Sequence, residues 1–223
     1  MNAPLVLSFD LDDTLWPVAP VMLAAESEMQ TWIKARHPQI MQGHDRESLR
    51  LLRAALAERF PEQAHDMTFL RRRMLGELFA AAGKAESFAD EAFEVFFAAR
   101  NRVTLYAEVA AALKRLSARY RLFALSNGNA DLARCGISQW FHGHVTAISA
   151  GAPKPDIRIF SRLIAEAGVD ADRILHVGDD PRLDVVGAMQ AGLQAAWLNR
   201  NAQAWPADLP PPPRTILSLA EID

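Results

Sequence analysis

Residues from about 17 to 103 hold no segment that reads as a strand, while the sequence on both sides of them does. Within that block Ala, Leu, Glu, Arg and Met recur with apolar residues at helical spacing. The pattern predicts helices over about 20–36, 45–60, 66–82 and 87–100. Pro38, Gly43, Pro61 and Gly83 fall in the gaps. From about 104 onward, strand and helix patterns take turns. A helix near 107–119 leads to a strand at 121–125. A strand near 144–148, a helix at 156–167, a strand at 174–177, a helix near 182–191 and a strand at 194–198 follow. Such alternation predicts a parallel sheet with helices on both faces. The strand 5–9 precedes the helical block and belongs with the later strands. The expected fold class is α/β: a Rossmann-like, three-layer parallel-sheet core formed by 1–16 and 104–223, with an inserted all-helical cap at 17–103. Pro206 and the run Pro210 to Pro213 read as an extended surface segment, closed by a short strand and a helical turn after Thr215.

A chain of 223 residues, half of them hydrophobic, suits one domain carrying a sizeable insertion. Its net charge of −3 gives no electrostatic basis for binding nucleic acid or an anionic membrane. The lone Cys135 excludes an intramolecular disulfide and a cysteine-based zinc site, and fits a reducing compartment. No apolar run reaches the roughly 18 residues of a membrane span, and no charged-then-apolar leader is evident. A cytoplasmic protein is expected. The oligomeric state is not legible.

Open α/β sheets bind ligands beyond the carboxyl ends of their strands. After the first strand come Asp10 and Asp12, which point the same way at strand period. Two carboxylates forced together repel unless a cation or a proton intervenes. The second strand is followed by Ser126-Asn127-Gly128-Asn129, the third by Ala152-Pro153-Lys154-Pro155-Asp156. The fourth is followed by Gly178-Asp179-Asp180-Pro181-Arg182-Leu183-Asp184. These groups suit phosphoryl transfer. Asp10 can attack phosphorus and form an aspartyl-phosphate. Asp12 can protonate the leaving oxygen and later deprotonate water. Mg²⁺ is the natural cation for such carboxylates, and Asp179 can supply a further one. Ser126 and the Asn127 backbone amide can hold phosphate oxygens. Lys154 can pair with phosphate and Asp10 together, with Asp184 anchoring Lys154 or a metal-bound water. Each piece also has a plainer reading: Ser126-Asn127-Gly128 as a turn, Lys154 as a loop lysine, Asp180 and Asp184 as the N-cap and surface of the next helix.

The set Asp10-x-Asp12-x-Thr14, Ser126-Asn127-Gly128, Lys154 and Gly178-Asp179-Asp180-x3-Asp184 resembles the four motifs of the haloacid dehalogenase-like hydrolase superfamily. The helical insert resembles its C1-type cap, and the match spans essentially the whole chain. The resemblance implies that Asp10 is the nucleophile and Asp12 the acid/base. It further implies Mg²⁺ held by Asp10, the backbone carbonyl of Asp12, and Asp179, with Thr14, Asp180 and Asp184 in support. The dehalogenases that give the family its name lack an Asp two residues after the nucleophile, because halide departure from carbon needs neither an acid nor Mg²⁺. Asp12 therefore points to a phosphatase acting on a small phosphorylated metabolite. A mutase of the β-phosphoglucomutase type shares all four motifs and stays open, as does a dehalogenase on the same scaffold. A narrower similarity runs through Phe9 to Trp16, Phe97 to Asn101, and His176 to Asp180 with Asp184 to Ala188. It is to a bacterial subgroup with phosphatases acting on flavin mononucleotide and on the ribitylaminouracil phosphate of riboflavin synthesis.

Candidate specificity residues are less defined. Trp16 reads either as a stacking platform for a planar ring or as a packing residue. Arg71, Arg72 and Arg73 read as a solvated face or as charge for a substrate. Arg100 and Asn101 read as substrate contacts or as ties to the core. Phe88, Phe93, Phe96 and Phe97 read as helix packing.

Overall fold

A computed structural model describes residues 3–223. The chain divides into two compact units. One holds the residues up to Pro17 with Thr104–Gly128 and Gly136–Asp223; the other holds Val18–Val103 and Asn129–Cys135. The first unit opens with β1 (Val6–Phe9). Four helices of the second unit follow: α1 (Val18–Arg36), α2 (Arg46–Arg59), α3 (Met67–Ala81) and α4 (Ser87–Arg100). The first unit resumes with α5 (Val109–Ser117), β2 (Arg121–Ser126), β3 (Gly143–Thr146), α6 (Ala147–Ala150), α7 (Ile157–Ala167) and β4 (Ile174–Gly178). It ends with α8 (Gly187–Gln190), β5 (Gln194–Leu198) and β6 (Thr215–Ile216).

All strand pairs are parallel and the order is β3-β2-β1-β4-β5-β6. The order reverses at β1 and β4, the switch point at which open α/β sheets leave a crevice. Every residue of β1 and β4 is buried, as in strands covered on both faces, with Ser8 and His176 the polar members. Phe9 lies opposite Ala124 and Val177, so these strands finish nearly level. α7 covers one face with Ile159, Phe160, Leu163 and Ala167, all buried. Each of its large apolar side chains contributes about 1.5–3 kcal/mol by burial. Asp156 caps the start of this helix by accepting from Arg158 N, and Gly168 ends it at φ 62°.

Two elements differ from their sequence-based expectation. The strand expected at 144–148 stops at Thr146, because Thr146 and Ser149 form a capping box that starts α6. The helix expected at 182–191 is a wide π turn over Pro181–Val186 followed by the short α8. Asp180 caps that turn, accepting from Arg182 N and Leu183 N at 2.8 Å each. The wide turn carries Asp184 into the interior, and such turns concentrate at functional sites.

In the helical unit, Ala25, Met29 and Ile33 of α1 share a core with Met74 and Phe79 of α3 and Phe93 and Phe96 of α4. The phenylalanines are packing residues, as their spacing predicts. Arg71 departs from the solvated-face reading: it is buried, bonds Glu26 at 2.5 Å and lies 3.5 Å from the Phe96 ring centroid. Arg72 and Arg73 stay exposed on Asp90 and Glu77. Residues 129–135, which the sequence places with the core, group instead with the helices. The cause is the Asn101 side chain, whose Oδ1 accepts from Asp131 N at 2.7 Å, together with an Arg134–Glu94 ion pair at 2.5 Å. No helix among the described residues is long and apolar enough to cross a membrane.

Candidate active site

The carboxyl ends of β1 and β4 bring Asp10 and Asp179 to the switch point. Asp10 continues β1 by one hydrogen bond, its N–H donating to the Val177 carbonyl at 2.9 Å. Lys154, on the segment after α6, reaches the same place. Its ammonium donates to Asp10 Oδ1 at 2.5 Å and Asp184 Oδ1 at 2.6 Å, and all three side chains are buried. Asn127 holds the lysine's backbone from both sides: Lys154 N donates to Asn127 Oδ1 at 2.6 Å, and Asn127 Nδ2 donates to the Lys154 carbonyl at 3.0 Å. The Asn127 side chain is thus occupied, while its backbone amide is not part of that clamp. Ser126 Oγ accepts from Gly128 N at 3.0 Å, which leaves its hydroxyl hydrogen to donate elsewhere. Thr14 donates to Asp179 Oδ1 at 3.0 Å.

Asp10, Asp179 and Asp184 offer carboxylate oxygens that lie within 4.8 Å of one another. Two of these three carboxylates, Asp10 and Asp184, share one ammonium, and the electrostatics follow. Burial pushes Asp10 well above the usual carboxylate range, with Asp184 and Asp179 adding to the effect and Lys154 opposing it. Burial likewise pushes Asp179 up to about 7, reinforced by the charge on Asp184. Asp184 goes the other way: Lys154 and His176 outweigh its burial and hold it low. Burial would lower Lys154, but Asp10 and Asp184 outweigh it and keep the ammonium charged. The excess negative charge must be met by a proton or by a further cation. The donor set is oxygen only, which is what a hard dication such as Mg²⁺ takes.

A family model described as haloacid dehalogenase-like hydrolase matches residues 5–192. The chain belongs to the haloacid dehalogenase-like hydrolase family. It is 34% identical over 213 residues to the 5-amino-6-(5-phospho-D-ribitylamino)uracil phosphatase YigB of Escherichia coli, covering 92% of this chain and 89% of that one. It is 36% identical over 136 residues to a phosphoserine phosphatase of Thermus thermophilus, covering 58% and 55% of the two chains. A crystal structure described as a 2-haloacid dehalogenase from Pseudomonas syringae pv. Tomato superposes with a TM-score of 0.91 at 36% identity, covering 97% and 95%.

For this haloacid dehalogenase-like hydrolase, the structure gathers Asp10, Lys154, Asp179 and Asp184, with Thr14, Ser126 and Asn127 beside them. Two predicted residues stand beside rather than within the acidic cluster, Asp180 in the N-cap place of its plainer reading. The Asp12 carboxylate is not in the acidic cluster; its Oδ1 accepts from the Trp16 indole N–H at 2.8 Å. Asp180 is the cap of the π turn, and its backbone N–H donates to Asp184 Oδ2 at 3.0 Å.

Three supporting residues escaped the sequence reading. His176 Nε2 lies 3.2 Å from Asp184 Oδ1 and its Nδ1 lies 3.1 Å from Ser8 Oγ. Burial pushes its pKa down. The neutral ring then carries its hydrogen on Nε2, toward the acceptor-only carboxylate, and accepts the Ser8 hydroxyl on Nδ1. Trp197 donates to the Asp179 carbonyl at 2.8 Å. Arg200 donates to the Thr14 carbonyl at 2.8 and 3.2 Å and pairs with Glu108 at 2.7 Å. Trp197 lies in β5 and Arg200 just beyond it, so extending the strand-end search to a fifth strand finds both.

Gly178 gives this packing a direct test. A Cβ there would sit 2.2 Å from Asp184 Cγ, and Asp184 is pinned by Lys154, His176 and Asp180. Gly178→Ala is expected to lower stability by about 1–3 kcal/mol and to reduce activity by displacing Asp184. Urea unfolding checks the first, and an unchanged midpoint contradicts the packing described.

Proposed function

We propose that this chain is a Mg²⁺-dependent phosphatase that hydrolyses a small phosphorylated metabolite through an aspartyl-phosphate on Asp10. The observation that carries the reading is the cluster of Asp10, Asp179 and Asp184, in which the buried Asp10 and Asp184 share the Lys154 ammonium. Lys154 occupies Asp10 Oδ1, so the other carboxylate oxygen is the one left to attack phosphorus. Lys154 also places a fixed positive charge beside the incoming phosphoryl group. Ser126 donates its hydroxyl hydrogen, and the Asn127 backbone amide offers a second donor to the equatorial oxygens. Asp12 protonates the leaving oxygen and then takes a proton from the hydrolytic water. Asp10, Asp179 and the backbone carbonyl of Asp12 would hold Mg²⁺, which neutralises phosphate charge when bound. The helical unit serves as the cap that selects the substrate.

The likeness to a protein described as a 2-haloacid dehalogenase favours a second reading, dehalogenation at carbon. Asp12 opposes it, since halide departure has no use for an acid. The YigB likeness favours a ribitylaminouracil phosphate as the substrate, and the narrower sequence similarity through Phe9 to Trp16 and His176 to Asp180 adds flavin mononucleotide. The test is release of phosphate from those two esters and from p-nitrophenyl phosphate, with Mg²⁺ and with EDTA, beside release of chloride from 2-chloropropionate. Phosphate release that EDTA abolishes is the expected result. Chloride release without phosphate release overturns the reading.

A further inference from the structure

We propose that Trp16 is the positioning residue of the acid/base carboxylate, holding Asp12 Oδ1 so that the transferred proton travels on Oδ2. The inference rests on the phosphatase reading above. Trp16 is fully buried, so its ring offers no open face on which a substrate could stack. Its N–H donates instead to Asp12 Oδ1 at 2.8 Å.

The loop is built around this contact. Asp13 adopts a left-handed φ of 58°, which turns the chain back on itself. Asp13 N–H then donates to the Trp16 carbonyl at 2.7 Å, and Leu15 N–H to the Leu11 carbonyl at 2.8 Å. Thr14 is held at both ends, by its hydroxyl on Asp179 and by Arg200 on its carbonyl. Leu15 is buried, and its carbonyl accepts from Tyr106 N at 3.0 Å. Residues 13 to 15 are anchored independently of the indole, so the indole meets Asp12 in a fixed frame.

The chemistry of the donor matters. An indole N–H only donates; it neither accepts a proton nor gives one up in the working range. A hydroxyl or an imidazole in its place would exchange protons with Asp12. With Oδ1 committed as an acceptor, the proton of the acid form resides on Oδ2. In the first step an Asp10 oxygen bonds phosphorus as the bond from phosphorus to the leaving oxygen breaks. The leaving oxygen keeps that electron pair and takes the Oδ2 proton. In the second step water bonds phosphorus, its proton returns to Oδ2, and the electron pair of the Asp10–phosphorus bond returns to Asp10. Poor orientation of Asp12 penalises the first step most for esters whose leaving group most needs the proton.

The test compares kcat/KM for p-nitrophenyl, phenyl and p-methoxyphenyl phosphate in the wild type, in Trp16→Phe, and in protein carrying 3-benzothienylalanine at position 16. That analogue replaces the N–H by sulfur in a ring of nearly the same shape. Thermal melting and Mg²⁺ binding by calorimetry accompany the kinetics. Loss of the donor is expected to reduce kcat/KM for the p-methoxyphenyl ester on the order of tenfold more than for the p-nitrophenyl ester, with Mg²⁺ affinity and melting of the isosteric protein unchanged. Equal losses across the series, or none, in the isosteric protein overturn the inference while leaving the phosphatase reading in place. A wild type that hydrolyses none of the three overturns that reading and the inference with it.

Discussion

Asp10→Asn is expected to reduce phosphate release by about 10⁴-fold or more, since it removes the group that forms the covalent intermediate. The same substitution is expected to leave the fold as stable as the wild type, or more so, when metal is absent. Asp10 is buried, with two further carboxylates close by and one ammonium shared with Asp184. Its pKa in the fold lies above its unfolded value of about 3.9. An acid shifted in that direction binds its proton more tightly when folded. Its ionised form therefore destabilises the fold at neutral pH, and the penalty disappears as pH falls through the unfolded value. Asparagine keeps an oxygen to accept from Lys154 and carries no charge. Melting in EDTA is expected to favour the variant at pH 7, with the difference shrinking toward pH 4. A variant that melts well below the wild type at pH 7 contradicts this account of the cluster. A variant that keeps near-normal turnover removes Asp10 as the nucleophile. Stability given up for activity at this one position is what a reactive carboxylate in a buried acidic site implies.

The carboxylates and the lysine were legible because the rule that found them is topological. Parallel strands end level, so what stands at the ends of β1, β2 and β4 must converge: Asp10 and Asp179 directly follow β1 and β4, and Ser126 closes β2. What escaped depends on the exact path of the backbone. Asp184 is expected at Lys154, but the π turn over Pro181–Val186 that carries it inward is not, because a helical period reads that stretch as an ordinary helix. Trp16 returns to Asp12 only because Asp13 takes a left-handed conformation that its residue type permits but does not demand. The run Arg71 to Arg73 reads as one exposed face, yet successive helical residues point about 100° apart. One of the three consequently turns inward, where Glu26 and the Phe96 ring receive it. The placement of 129–135 with the helices hangs on the Asn101 amide. A side chain bonding a backbone thirty residues away leaves no periodic trace.

Lys154→Met is expected to be the most damaging single change in the core unit, because it removes the one ammonium that the buried carboxylates share. Lys154 is only 4% exposed and donates to both Asp10 and Asp184. Removing one partner of a buried charge set costs about 3–5 kcal/mol, since the charges left behind stay desolvated. For a chain of this size that lowers the melting temperature by roughly 10 °C. The sign with pH is fixed by Asp184. Lys154 and His176 hold its pKa below the unfolded value, so in the wild type it adds stability at neutral pH that is lost as the solution becomes acidic. Without the lysine that contribution vanishes, and the deficit is expected to be largest at pH 7 and to narrow toward pH 4, where carboxyls protonate. Asp10→Asn and Lys154→Met therefore alter the same hydrogen bond and move stability in opposite directions. Mg²⁺ is expected to recover part of the Lys154→Met deficit, because a dication that binds the folded carboxylates supplies charge the lysine no longer does. Turnover is expected to stay down by about 10²–10³-fold even with Mg²⁺, the scale of one lost electrostatic contact to the transferring group. Urea unfolding at pH 7 and pH 5, with EDTA and with Mg²⁺, measures all of this in one series. A Lys154→Met protein as stable as the wild type at pH 7 in EDTA would show that the carboxylates are already protonated there, and that the lysine does not hold the cluster together.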